Sequence, residues 1–94
     1  MKTEIFVIDL ERLENLCLRF SATLKHNRKK YDDGDMAILV LADVKQKGQP
    51  SEKHKKRLLD WCYTNGPVFQ KGVGLAREIC IAIYGELLPD PDND

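Results

Sequence analysis

Leu10, Leu13, Leu16, Cys17, Phe20 and Leu24 recur at intervals of three and four residues. At 3.6 residues per turn that spacing gathers all six on one helical face, whereas a strand would scatter them over both of its faces. The stretch is therefore expected to be an amphipathic helix whose apolar stripe needs other elements to cover it. Its flanks agree. Asp9 is a natural N-cap, Glu11 suits a first turn, and Lys25, Arg28 and Lys29 suit the C-terminal end of a helix running from about residue 9 to about residue 29. Residues 5–8 ahead of it read as a hydrophobic lead-in, an extra helical turn or a short strand.

The next segment is ambiguous. Tyr31-Asp32-Asp33-Gly34-Asp35 reads as a turn, with Asp33 or Asp35 capping the element after it. From Met36 to Val44 the chain is almost continuously apolar, and periodicity does not separate a buried helix from a buried strand. Its Met, Leu and Ala content favours a helix reaching about Gln46. The alternative is an α+β fold in which residues 36–42 pair with residues 4–8 in a small two-stranded sheet.

Gly48-Gln49-Pro50 breaks the chain, and Ser51 is placed to cap a third helix with Glu52 in its first turn and Leu58, Leu59, Trp61 and Cys62 as its apolar stripe. Asn65-Gly66-Pro67 reads as its stop. A fourth helix is expected from about Val68 to Leu88. Phe69, Val73, Ala76, Cys80, Ile83 and Leu87 share one of its faces, and Leu75, Ile79 and Ala82 a second. Gly72 and Gly74 weaken its first turns by about 1 kcal/mol each relative to Ala. Either Gly72 and Ala76 mark a close helix approach, or the helix starts only after Gly74. The expectation is a compact all-α, four-helix domain over residues 1–88, with residues 89–94 a disordered acidic tail.

Ninety-four residues make one domain and bury about 60–65% of the unfolded surface. The longest apolar run, Met36 to Ala42, is far short of the roughly 20 residues that a membrane span needs. The N-terminal apolar run is too short for a signal peptide and lacks a small-residue cleavage site. Cys17, Cys62 and Cys80 are odd in number, widely spaced and flanked by apolar residues, which suits buried, reduced thiols and a cytoplasmic location.

In a four-helix domain each helix lies at the surface and should carry a polar face. The first and third do. The second and fourth are apolar around most of their circumference, which points to a self-association (a dimer) or partner interface at Ile38, Leu41, Leu75, Ile79, Ile81 and Ala82. The competing reading makes one of these helices central, with the lead-in segment covering it.

Charge is balanced overall, yet unevenly spread. Residues 1–24 sum to −1, residues 25–57 to +5 and residues 58–94 to −4. Two basic clusters stand out: Lys25, His26, Arg28, Lys29 and Lys30, then Lys45, Lys47, Lys53, His54, Lys55, Lys56 and Arg57. With short connections they could merge into one face able to contact phosphates, or an acidic partner. Arginine is scarce, which favours backbone contact over base reading. A helix-turn-helix built from the third and fourth helices would read with an apolar, Gly-rich helix whose basic groups are Lys71 and Arg77. Built from the second and third, it would read with a chemically better helix, but the connection from Lys45 to Pro50 looks longer than the motif's turn of three or four residues.

Chemistry finds little support. No two of Cys17, Cys62, Cys80, His26 and His54 stand at zinc-ligand spacing, so no metal or cofactor is expected. Asp32-Asp33-Gly34-Asp35 lacks the alternating acids and distal Glu of a calcium loop. Cys62 and His54 lie eight positions apart, about 12 Å along a helix, too far for a thiol and its base. Lys71 precedes the nearby glycines, and no Gly-Lys-Ser/Thr comes after them. The expected role is therefore non-enzymatic: a small regulatory, adaptor or inhibitor protein of the kind found among accessory proteins of bacteria, phages and mobile elements. The alternative is a nucleic-acid-binding regulator using Lys25, Arg28, Lys29 and Lys30 with Lys53, Lys55, Lys56 and Arg57.

Overall fold

The computed structural model describes residues 7–26, 33–64 and 70–90, with the backbone alone at 25, 26 and 33–35. It is all-α: α1 (Leu10–His26), α2 (Asp33–Lys47), α3 (Glu52–Cys62) and α4 (Gln70–Tyr84) succeed one another along the chain, with no strand among the described residues. Residues 36–42 lie inside α2, which removes the two-stranded alternative. Flanked by two helical partners, this run satisfies its backbone groups internally and buries Met36, Ala37, Val40, Leu41 and Val44.

Asp9 caps α1 as its sequence suggests, its Oδ1 accepting the Arg12 N–H at 3.2 Å. The stripe Leu13, Leu16, Cys17, Phe20 and Leu24 is buried, while Leu10 at the first turn is 45% exposed. α2 begins at Asp33, ahead of its expected start, so Asp33 and Asp35 fall within its first turn instead of preceding it. It ends at Gly48, whose φ of 83° returns the Gly48 N–H to the Val44 carbonyl at 2.9 Å.

Residues 48–51 alone connect α2 to α3, so the turn is four residues long and not the longer link suggested by the charged run. α2 continues through Lys45, Gln46 and Lys47 because a polar helix end costs nothing in water. α3 stops at Cys62. Tyr63 and Thr64 N–H groups turn back to Asp60 and Trp61 carbonyls, and the Arg77 Nε–H of α4 donates to the Cys62 carbonyl at 2.8 Å. The stop thus precedes Asn65-Gly66-Pro67, which lies outside the described residues, as do Phe69 and residues 91–94.

α4 explains its own composition. It packs against both α1 and α3, while α2 lies on α1. Gly72 lets Trp61 approach closely, and Trp61 in turn meets Phe20 edge-on, ring centroids 5.6 Å apart. Gly85 (φ 80°) ends α4 before the expected Leu88, leaving Leu87 partly exposed. The core joins Leu13, Phe20, Val40, Leu58 and Ile79 with all three cysteines, none of them in a disulfide. Each large apolar side chain in it contributes about 1.5–3 kcal/mol by leaving water.

Candidate functional site

The six residues expected to form an apolar interface divide sharply. Leu41, Leu75, Ile79 and Ala82 are buried in the core and present no docking surface on the monomer. For Leu75, Ile79 and Ala82 the reason is α4's position between α1 and α3, and for Leu41 it is the packing of α2 on α1 and α3. Ile38 and Ile81 stand 39% and 41% exposed. Leu18 on α1 (51%) and Leu39 on α2 (47%), outside the expected patch, are also exposed.

An ion pair locates this outer surface. Lys45 Nζ reaches Glu14 Oε2 at 3.0 Å, which sets α1 and α2 side by side at that level, and the short link of six residues between two extensively packed helices makes them antiparallel. Leu18 lies one turn beyond Glu14 on the same flank of α1. Leu41 and Ile38 lie one and two turns back from Lys45 on the same flank of α2. Leu18 and Ile38 therefore border one α1/α2 seam, with buried Leu41 beneath it. Leu39 stands on another flank of α2.

The same ion pair separates the two basic clusters. Lys25 is about 16 Å further along the α1 axis than Glu14, at 1.5 Å per residue. Lys45, at the level of Glu14, thus lies well along the α1 axis from the Lys25 backbone. Arg28, Lys29 and Lys30 lie outside the described residues.

The α3 cluster is partly consumed by the fold. Lys45 is paired with Glu14, and Lys55 lies over the Tyr84 ring, 5.7 Å from its centroid. Burial pushes the Tyr84 hydroxyl up to about 12. His54 turns inward. Lys53, Lys56 and Arg57 are exposed, interleaved with Glu52 and the half-buried Asp60. Lys53, Lys55 and Lys56 also line an open cleft of about 600 Å³ whose apolar lining is Leu59, Leu88 and Pro89.

His54, Ser51 and Asp43 form a polar cluster that spacing alone did not reveal. Asp43 Oδ2 accepts the Ser51 backbone N–H at 3.0 Å and lies 2.6 Å from His54 Nδ1. Ser51 Oγ lies 2.9 Å from that same nitrogen. The His54 hydrogen bond, then the Ser51 N–H, holds the Asp43 carboxyl below its ordinary range. A carboxylate only accepts, so Nδ1 carries the proton. A Ser-His-Asp triad needs serine at Nε2 and the acid at Nδ1. Here both meet Nδ1, and the arrangement is a clasp between α2 and the start of α3.

Ser51 occupies the N-cap position, but its hydroxyl bonds no α3 backbone N–H. The clasp has taken it. The Ser51/His54 spacing hints at such contact, whereas Asp43 arrives across the turn. Among the described residues, no group of three or more His, Cys, Asp and Glu side chains could hold a metal ion, and no helix is long and apolar enough to cross a membrane. No protein-family model, curated protein or solved structure matches the chain.

Proposed function

We propose that this is a non-enzymatic binding protein of the regulatory, adaptor or inhibitor kind, which docks a protein partner on the outer α1/α2 seam. The observation that carries the reading is the exposure of Leu18 and Ile38 beside the Glu14–Lys45 pair. Branched apolar side chains left in water at the join of two helices, next to a charged pair that sets orientation, make a small interface centre with a polar rim. The partner is a second copy or another protein.

The test compares the wild type with Leu18→Glu/Ile38→Glu. Gel filtration with light scattering reads self-association, and affinity capture followed by reconstitution with the purified partner reads association with another protein. The double variant is expected to keep its helical circular dichroism and lose the association. An association that survives both substitutions would remove the seam from the reading.

The α2–α3 turn favours a second reading, nucleic-acid binding. Four residues including Gly48 join the two helices, within the range of a helix-turn-helix, and Lys53, Lys56 and Arg57 face outward on the second helix. The supporting charge is modest, because Glu52 and Asp60 share that face. Binding to labelled duplex and single strands at two salt concentrations, with Lys53→Glu/Lys56→Glu/Arg57→Glu as control, tests it. Salt-sensitive binding abolished in the control would favour this reading; no binding at low salt would exclude it.

A further inference from the structure

The cleft beside α3 is built from a helix and a firmly held segment of chain. Gly85 turns the chain out of α4, and Cys80 Sγ donates to the Glu86 carbonyl at 3.6 Å. The Tyr63 hydroxyl donates to the Leu88 carbonyl, Leu88 packs against the core, and Asp90 is engaged as well. Leu88 and Pro89 are thus fixed beside Leu59 of α3 before anything binds. An apolar surface set in advance loses little entropy when a partner docks.

The charged lining comes from α3 alone, as Lys53, Lys55 and Lys56 against Glu52, an excess of two positive charges. Lys55 is directed over the Tyr84 ring. Lys53 and Lys56 are exposed, and neither makes an ion pair with a described residue, although Glu52 stands one turn before Lys56. Three positions apart, the two lysines are neighbours on the helix surface, where like charges repel. Lys53 also stands in the first turn of α3, where the helix dipole disfavours a cation. Neither placement helps α3 to form. Residues that work against their own element mark places where something else compensates.

We propose that this cleft holds an acidic segment of a protein partner. One large apolar side chain of that segment rests against Leu59, Leu88 and Pro89, and carboxylates flanking it meet Lys53 and Lys56. Sites for small molecules enclose most of their ligand, which this open cleft does not, whereas one anchoring side chain of a docked protein fits about 600 Å³ well. A continuous phosphate backbone would meet the Glu52 carboxylate along with the lysines; a peptide can set a backbone N–H there. The cleft shares no residue with the α1/α2 seam, so the two docking sites stand or fall separately.

The experiment titrates the full chain with the synthetic peptide Glu-Asp-Phe-Asp-Glu to millimolar concentration and follows the backbone amide signals by NMR. Saturable shifts are expected at Lys53, Lys56, Leu59 and Leu88, with binding that weakens as salt is raised. Lys53→Glu/Lys56→Glu, checked for its helical spectrum, should weaken binding about tenfold or more. Serine in place of the peptide's phenylalanine should cost about as much. Leu18→Glu/Ile38→Glu should bind the peptide as the wild type does, which tells the cleft from the seam. The absence of saturable shifts at the cleft would overturn the proposal, as would undiminished binding of the serine peptide or by the lysine variant. An oligothymidylate of equal charge that bound these residues more tightly than the peptide would also overturn it, and would assign the cleft to nucleic acid.

Discussion

One missing methyl group shapes the contact between α3 and α4. A Cβ at Gly72 would lie 2.9 Å from Trp61 Cζ3 and 3.3 Å from Cε3, closer than carbon atoms pack. Trp61 is itself set edge-on against Phe20 and cannot withdraw freely. Gly72→Ala is therefore expected to destabilise the protein by about 1–3 kcal/mol through overpacking. At Gly74 nothing lies within 4 Å of the same added atom, so Gly74→Ala should stabilise it by about 1 kcal/mol through helix propensity. Urea midpoints of the two variants should move in opposite directions. Asp43 makes a second prediction at this scale. Its folded-state pKa is lowered, chiefly by the His54 hydrogen bond, so the unfolded chain binds the proton more readily. Its contribution is present above the ordinary Asp value of about 4 and is lost as the pH falls from there through the folded value. Asp43→Asn should lower neutral-pH stability by about 2 kcal/mol and remove that part of the acid limb in unfolding curves.

Among the elements, the helix ends show most clearly how residue type and backbone conformation combine. Gly48 and Gly85 hold φ near +80°, a region that L side chains enter at a cost of about 1–2 kcal/mol. Gly48→Ala should cost about that much in stability although nothing lies within 4 Å of the new atom. An unchanged urea midpoint would refute strain as the reason for glycine there. The α1 stripe, the Asp9 cap and the Gly48 break were legible because each depends on near neighbours in the chain. The end of α3 was not. Asn65-Gly66-Pro67 is a strong stop signal, yet the helix ends sooner, where Arg77 reaches across from α4 to take the Cys62 carbonyl. Ser51 was legible as an N-cap position, but its hydroxyl is diverted to a His54 that Asp43 has turned inward.

For the whole molecule, exposure decides which apolar residues are available. Leu18 and Ile38 are about half in water already, so Leu18→Lys/Ile38→Lys should change stability by less than about 0.5 kcal/mol. Thermal unfolding that drops well beyond this would mean that the seam is structural and not a docking surface. Hydrophobic periodicity and turn residues, acting over a few neighbours, sufficed to determine α1, α3 and α4, most of the buried stripes and the break between α2 and α3, whereas α2 was favoured by composition and decided only by the structure. They also determined an unusually apolar α4, but not the meaning of that composition. Only the packing decided that α4 lies against both α1 and α3, so that Leu75, Ile79 and Ala82 became core while Leu18, Ile38, Leu39 and Ile81 stayed exposed. Only the packing joined Asp43 to His54 and set Lys45 beside Glu14. The physical reason is common to all of these: helix formation depends on residues three and four apart, whereas burial and side-chain partnership depend on which helices meet.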